Sequence, residues 1–181
     1  LFFPIRFQLI ILLILSVSKL IVRSFELINT FKFYSLYLIL GCMYLAIDIG
    51  GTKTLVASIN ASGEIVKSNK FPTPVDYTDF KKELKANIHN LDTTFSRGAV
   101  AAPGTIDRNH GVLLACSNLT WVNVPLEADI EQMAHCPIRL ENDTKLAGLS
   151  EAIHIIDEFK RVLYVTISTG ISSALVVDGI L

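Results

Sequence analysis

The chain has 181 residues, which is enough for one domain and part of a second, and its formal net charge is −1. A charge this close to zero gives no general attraction for nucleic acid, so the composition does not indicate a nucleic-acid-binding protein. The three cysteines, Cys42, Cys116 and Cys136, are odd in number and lack Cys-x-x-Cys spacing, which argues against a disulfide framework and against a zinc site within this chain. The simplest interpretation is a reducing, cytoplasmic setting.

Residues 1–42 are richer in Leu, Ile and Phe than everything that follows, and they account for much of the apolar excess of a chain that is 51% hydrophobic. Their longest uncharged run, residues 7–18, is too short to span a bilayer comfortably. A basic residue before an apolar run also fits a signal peptide, but no small-residue cleavage site follows cleanly. We expect Met43 to be the true start and residues 1–42 to be upstream translation, with a membrane anchor as the alternative.

The stretch after Met43 predicts a three-stranded antiparallel meander that prolines bring to an end. Its predicted strands are 44–49, 53–60 and 64–71, its turns are Gly50-Gly51 and Ala61-Ser62-Gly63, and the prolines are Pro72 and Pro74.

The first turn of this meander has the chemistry of a phosphate site. Gly50 and Gly51 let backbone N–H groups approach a ligand without Cβ atoms in the way, and such a turn is an anion-binding nest. Thr52 adds a hydroxyl, Lys53 adds a cation, and Asp48 at the strand end could hold Mg²⁺ through water. Together these groups suit the phosphate tail of a nucleotide. The alternative is a plain hairpin turn in which the glycines serve a positive φ.

An apolar stripe with spacings of four, four, three and four predicts a helix from Tyr77 to Phe95. A short strand, 97–102, should follow and run into the loop Ala102-Pro103-Gly104. Residues 105–123 are predicted to be irregular, with a small hairpin at Asp107 to Gly111.

The rest of the chain predicts two more helices and three more strands. Pro125 is expected in the first position of a short helix, a strand spans 137–140, and residues 141–144 cap a helix at about 143–155. Strands 161–168 and 171–177 form a second strand-turn-strand unit around Ser168-Thr169-Gly170. No helix follows to cover that sheet, and an isolated hairpin is only marginally stable, so we expect the chain to stop inside a second domain.

Three turns together favour a functional site more than each does alone. They lie around Gly50-Gly51, Asn142-Asp143 and Thr169-Gly170. Two Gly/Thr hairpins could grip a phosphate chain from both sides, and ligands of α/β proteins bind at strand ends and clefts. The helix dipole favours the ionised form of Asp143, which could take the proton of an alcohol as that oxygen attacks phosphorus. The alternative is that Asn142 or Asp143 is merely a helix cap.

Five blocks in this order resemble the ROK family (repressors, open reading frames and sugar kinases) of the actin-like ATPase superfamily, over roughly Met43 to Leu181. The blocks are Leu-Ala-Ile-Asp-Ile-Gly-Gly-Thr-Lys-Thr, Ala-Pro-Gly-Thr-Ile-Asp, Ser-Asn-Leu-Thr-Trp, Glu-Asn-Asp and Thr-Ile-Ser-Thr-Gly-Ile. The resemblance implies an α/β fold: a ribonuclease H-like (actin-like ATPase) domain with a mixed sheet at 43–158, and the first β-hairpin of a similar second domain at 159–181.

The resemblance also implies an activity, the ATP-dependent phosphorylation of a hexose at its 6-hydroxyl by the intact protein, with Mg²⁺ as cofactor. It assigns a role to each matching residue: Asp143 as catalytic base, Asn142 as sugar ligand, Gly104 and Asn118 in loops that line the sugar pocket, Asp48, Gly50, Gly51 and Thr52 in the first phosphate loop beside Lys53, and Thr169 and Gly170 in the second. We expect a hexose partner, no nucleic acid, no membrane, and a homodimer at full length.

The chain departs from the family pattern at Lys145, where relatives carry Asn, and at Ser172-Ser173, where relatives carry glycine. The family's Glu-x-x-His motif, zinc-binding cysteines and adenosine pocket are expected beyond Leu181, so the fragment itself is predicted to be inactive. A sugar-responsive repressor and a non-catalytic paralogue remain as alternatives, and the sugar stays open among glucose, fructose, mannose and N-acetyl sugars.

Overall fold

The computed structural model describes residues 42–116, 118–167 and 171–181. The predictions about residues 1–41 and about Ser168, Thr169 and Gly170 therefore lie outside the described residues. Within the described ranges, no helix is long and apolar enough to cross a bilayer.

The strands are β1 Tyr44–Ile49, β2 Lys53–Ile59, β3 Ile65–Pro72, β4 Arg97–Ala102, β5 Thr105–Asp107, β6 Val112–Ala115, β7 Val122–Val124, β8 Ile138–Asn142, β9 Arg161–Ile167 and β10 Ile171–Val177. The helices are α1 Tyr77–His89, α2 Leu126–Ala134 and α3 Asp143–His154.

A five-stranded mixed sheet in the order β3-β2-β1-β4-β8 forms the centre of the fold. The predicted meander is confirmed, because β2 pairs antiparallel with both β1 and β3. β1 and β8 both pair parallel with β4. β1 is apolar except at Asp48, and all its other residues are buried, which is typical of a central strand.

Helices cover both faces of this sheet. Phe80 and Leu84 of α1 and Ile130 of α2 share one buried cluster with Ile47 of β1. On the opposite face, Leu146 of α3 packs with alanines of β1 and β4, whose small side chains let the helix approach closely.

α3 also covers one face of the two-stranded β9-β10 sheet, so the prediction that no helix covers this sheet is wrong. Leu149 and Ala152 of α3 form a buried cluster with Val176. The error arose because the covering helix precedes these strands in the chain. The other face carries exposed apolar side chains: Leu163, Val165, Ile167, Ile171 and Leu175. No observation tests the predicted domain boundary at 158/159, which stays a prediction.

The predicted helix to Phe95 is too long, because α1 ends at His89. Asn90 caps it by donating its N–H to Ala86 O, and Asp92 adopts a positive φ of 55° that a helix does not allow. Leu91 and Phe95 are buried all the same. Loop residues thus continue the apolar spacing without continuing the helix.

Residues 105–123 are more regular than predicted, since β5, β6 and β7 form a three-stranded antiparallel sheet. The predicted hairpin at Asp107 to Gly111 joins β5 to β6. Strands of three or four residues are too short for a clear alternating pattern, which explains the error. Pro125 occupies the N-cap position of α2 rather than its first helical residue.

Candidate functional site

Three parallel strands end at one edge of the central sheet. The register pairs Asp48 of β1 with Ala101 of β4, and Ala101 with Glu141 of β8. Neighbouring strands lie about 4.8 Å apart, so Asp48 and Glu141 are separated by roughly 10 Å across the sheet. The loops that follow these strands therefore gather at the carboxyl ends, where α/β proteins bind ligands.

The turn after β1 requires glycine because the chain packs closely there. Gly50 donates its N–H to Lys53 O at 3.0 Å, which closes the turn. A Cβ on Gly50 would lie 2.9 Å from Lys53 O, and one on Gly51 would lie 2.8 Å from Asn118 Cβ. Neither glycine has a positive φ, so the plain-hairpin alternative does not explain them.

Thr73, which the sequence analysis missed, holds this turn from the end of β3. Its Oγ1 donates to Gly50 O at 2.8 Å, and its N–H donates to Thr52 O at 3.0 Å. The Oγ1 atoms of Thr54 and Thr73 lie 2.9 Å apart, and Thr54 is fully buried. The available signal was Pro72-Thr73-Pro74, because flanking prolines hold a residue in an extended backbone.

The loop that carries Asn118 lies directly beside the glycine turn. Asn118 contacts Gly51, as the short Cβ distance above indicates. Further along the loop, Thr120 Oγ1 and Trp121 Nε1 both donate to Val75 O at 2.9 Å. The structure thus brings together two predicted residues, Gly51 of the phosphate loop and Asn118 of the sugar loop.

Gly104 and Asn142 form a second pair of predicted residues. Gly104 has a φ of 98°, and a Cβ there would lie 2.2 Å from Ala115 O, so only glycine fits. Its carbonyl accepts a hydrogen bond from Asn142 Nδ2 at 3.0 Å. This bond joins the loop after β4 to the end of β8.

Asn142, rather than Asp143, caps α3. Asn142 Oδ1 accepts from the N–H groups of Thr144 at 3.0 Å and Lys145 at 3.2 Å. Asp143 is the first helical residue and is partly exposed; its Oδ1 accepts from Thr144 N–H at 2.7 Å. The capping alternative therefore accounts for Asn142 and leaves the role of Asp143 to be explained.

Glu141 and Arg108 are further residues that the sequence analysis did not single out for a role. Glu141 Oε1 accepts from Asn142 N–H at 2.8 Å, and Glu141 Oε2 lies 2.7 Å from Arg108 Nε. Nothing in the local sequence links them, because 33 positions separate Arg108 from Glu141.

The residues at this edge fit a nucleotide with Mg²⁺. Magnesium keeps several waters and binds through one or two carboxylates plus phosphate oxygens, so a single Asp48 at a strand end is sufficient. The turn of Gly50 and Gly51 follows this strand end directly and so lies beside Asp48. No group of three metal-binding side chains occurs among the described residues.

Burial raises the pKa of Cys136 to about 11, so this thiol stays protonated at neutral pH.

Two further predicted parts of the site are the second phosphate loop and Lys53. Thr169 and Gly170 lie outside the described residues, so the second phosphate loop stays a prediction. Lys53 is described and exposed at the start of β2.

Residues 44–181 match the model of the ROK family. The N-acetylmannosamine kinase of Citrobacter koseri is 33% identical over 140 residues, which cover 75% of this chain and 48% of that protein. A ROK family glucokinase from Streptomyces griseus, solved with glucose and AMPPNP, has a TM-score of 0.64 at 23% identity. The match covers 76% of this chain and 45% of the glucokinase chain. A ROK family transcriptional regulator, a homologue of the E. coli MLC protein, has a TM-score of 0.71 at 22% identity, with coverages of 78% and 38%.

The chain spans about half the length of the curated relatives it matches. The structural neighbours confirm the predicted actin-like ATPase fold with its mixed sheet. Since the family model matches most of the chain, this protein belongs to the ROK family.

Proposed function

We propose that the protein is an ATP-dependent sugar kinase that transfers a phosphoryl group to the 6-hydroxyl of a hexose. One observation carries the proposal. A glycine turn suited to phosphate and the carboxylate of Asp143, the first residue of α3, both follow the carboxyl ends of parallel strands in the same sheet. Phosphoryl transfer requires mainly positioning and charge stabilisation, and this arrangement supplies groups for both ends of the reaction.

Each predicted residue has a role in this proposal. Asp143 accepts the proton of the sugar hydroxyl while that oxygen bonds to phosphorus and the bond to the departing nucleoside diphosphate breaks. The sugar is held by Asn142, Asn118 and the loop of Gly104. The phosphates lie on Gly50, Gly51, Thr52 and Lys53, with Thr169 and Gly170 on the other side. Bound through water to Asp48, Mg²⁺ would supply charge neutralisation on the phosphates.

N-acetylmannosamine is the first sugar to test, because several relatives at 33–34% identity are named N-acetylmannosamine kinases. The experiment uses the protein as the cell makes it, with ATP, Mg²⁺ and a panel of hexoses and N-acetyl sugars, and measures sugar-dependent ADP release.

Asp143→Asn should lower kcat by about 10²- to 10⁴-fold, the usual contribution of a general base. Asp157→Asn, at an exposed position beyond α3, is the matched control and should leave kcat unchanged.

The second candidate is a sugar-responsive transcriptional regulator, favoured by the fold similarity to one such protein. Sugar binding without ADP release would support this candidate or a non-catalytic paralogue, and sugar-dependent DNA binding would separate the two. ADP release that persists in Asp143→Asn would contradict the assigned base.

A further inference from the structure

We infer that Arg108 is a positioning residue that acts through Glu141 on the end of β8, from which Asn142 and Asp143 project. The inference rests on the proposed function and adds to it a residue that makes no contact with the reacting atoms. Its basis is a chain of polar contacts from the β5-β6 turn to the start of α3.

The turn that carries Arg108 is held in shape by Asp107. Asp107 Oδ1 accepts from the N–H groups of Asn109 at 3.0 Å and His110 at 3.3 Å, while Oδ2 lies 2.8 Å from His110 Nδ1. The hydrogen bond between the His110 ring and Asp107, together with the backbone hydrogen bonds, lowers the pKa of Asp107, so this carboxylate is ionised at neutral pH. Arg108 therefore projects from a preformed turn, with Nε 2.7 Å from Glu141 Oε2.

Glu141 needs this partner because its side chain is only 10% exposed. A carboxylate removed from water is costly unless it is paired and hydrogen-bonded. Arg108 supplies the opposite charge to one oxygen, and Asn142 N–H supplies a hydrogen bond to the other at 2.8 Å. The hydrogen bond ties the carboxylate to the backbone at Asn142, and the nearby charge of Arg108 offsets the cost of its burial.

Asn142 N–H has no strand to pair with among the described residues, which makes Glu141 important there. β8 is an edge strand, and alternate N–H groups of a strand point away from its neighbour. The other atoms of Asn142 are also engaged: Nδ2 donates to Gly104 O, and Oδ1 caps α3. Within this network, the Arg108–Glu141 contact is the ion pair that joins the β5-β6 turn to β8.

Removing Arg108 leaves Glu141 as a poorly compensated charge. The carboxylate then turns toward solvent or takes up a proton, and Asn142 N–H loses a strong acceptor. Asp143 follows directly in the chain, so its carboxylate moves with this backbone. A displacement of about 1 Å from the reactive geometry can cost about 100-fold in rate.

The test compares Arg108→Met, Arg108→Lys and Glu141→Gln in the protein as the cell makes it, with Arg139→Met as control. Arg139 is an exposed arginine on the same strand. Arg108→Met should lower kcat by about 10- to 100-fold, while the KM for ATP changes by less than about twofold because the glycine turn is untouched. Arg108→Lys should recover part of the loss, and Glu141→Gln combined with Arg108→Met should cost less than the sum of the two.

Amide hydrogen exchange gives a second readout that does not depend on activity. The N–H of Asn142 should exchange faster in Arg108→Met than in Arg139→Met. A merely structural role would lower the unfolding midpoint without separating kcat from KM.

The outcomes distinguish this inference from the proposed function. A wild-type protein that releases no sugar-dependent ADP overturns the proposed function, and with it the inference. An active wild type in which Arg108→Met matches Arg139→Met in kcat and in Asn142 exchange overturns the inference alone.

Discussion

At the scale of single residues, the glycine turn depends on Thr73, which lies 23 positions after Gly50. Thr73 binds two carbonyls of the turn, and its hydroxyl meets that of buried Thr54. The turn's shape is thus set from outside itself. Gly50 and Gly51 leave the space that Lys53 O and Asn118 occupy, and Thr73, which is distant in the chain, holds the turn in this conformation.

Thr73→Val should therefore destabilise the protein and weaken nucleotide binding. Valine keeps the size but removes the hydroxyl, which leaves Gly50 O and the Thr54 hydroxyl without this partner. An unsatisfied buried polar group costs about 1–3 kcal/mol in the free energy of unfolding, which urea titration measures. The KM for ATP should rise as well.

Thr94→Val is the control for this substitution, because Thr94 is exposed and lies far from the turn in the chain. The double variant Thr54→Val, Thr73→Val should recover part of the lost stability, since both hydroxyls of the pair are then gone. Equal unfolding free energies for Thr73→Val and Thr94→Val would contradict the role assigned to Thr73.

At the scale of elements, glutamates protect the exposed edge of β8. The N–H groups of Ile138, Leu140 and Asn142 all point away from β4. Glu131 accepts from Ile138 at 3.0 Å, Glu127 accepts from Leu140 at 2.8 Å, and Glu141 accepts from Asn142 at 2.8 Å. Free edges invite pairing with another chain, and carboxylates that occupy the N–H groups prevent it.

Glu131→Ala should cost about 1–3 kcal/mol of unfolding free energy, because Ile138 N–H loses its acceptor in a partly buried place. Light scattering should also detect more self-association, since the edge is then open to a second strand. Glu131→Gln keeps an acceptor oxygen and should lose less. Glu158→Ala, at an exposed position, should change neither quantity. No difference between Glu131→Ala and Glu158→Ala would remove the case for edge protection.

The sequence predicted elements where apolar period and turn chemistry agree, and it failed where they diverge. β1, β2, β4 and α3 follow from such agreement. The end of α1 was misplaced because Leu91 and Phe95 keep the helical spacing while Asp92 adopts a left-handed conformation. The predicted site residues lie in turns with local signals. Thr73 and Arg108 were missed because their partners are distant in the chain, and only the folded sheet brings them together.

At the scale of the whole molecule, α3 joins the central sheet to the β9-β10 sheet. Its first residue is Asp143, at the edge of the central sheet, and its middle packs on β9 and β10. Gly148 makes this contact close: a Cβ there would lie 2.5 Å from Ala174 Cβ and 3.0 Å from Tyr164 Cβ. The residues between these two strands include Thr169 and Gly170, which are predicted to form the second phosphate loop.

Gly148→Ala tests whether α3 and the β9-β10 sheet are tightly packed, because the unfolding free energy should rise if the contact is loose and fall if it is tight. Helix propensity alone favours alanine by about 1 kcal/mol, whereas overpacking a tight contact costs about 1–3 kcal/mol. Because the contacting atoms are Cβ atoms next to the backbone, which move little, we expect overpacking to prevail and the unfolding free energy to fall. The KM for ATP should rise, since β9 and β10 are pushed away from α3.

Glu151→Ala, exposed on the same helix, should stay within about 0.5 kcal/mol of wild type. A stabilised Gly148→Ala variant with an unchanged KM would show that α3 and the β9-β10 sheet adjust to each other freely, and that the contact at Gly148 does not influence nucleotide binding.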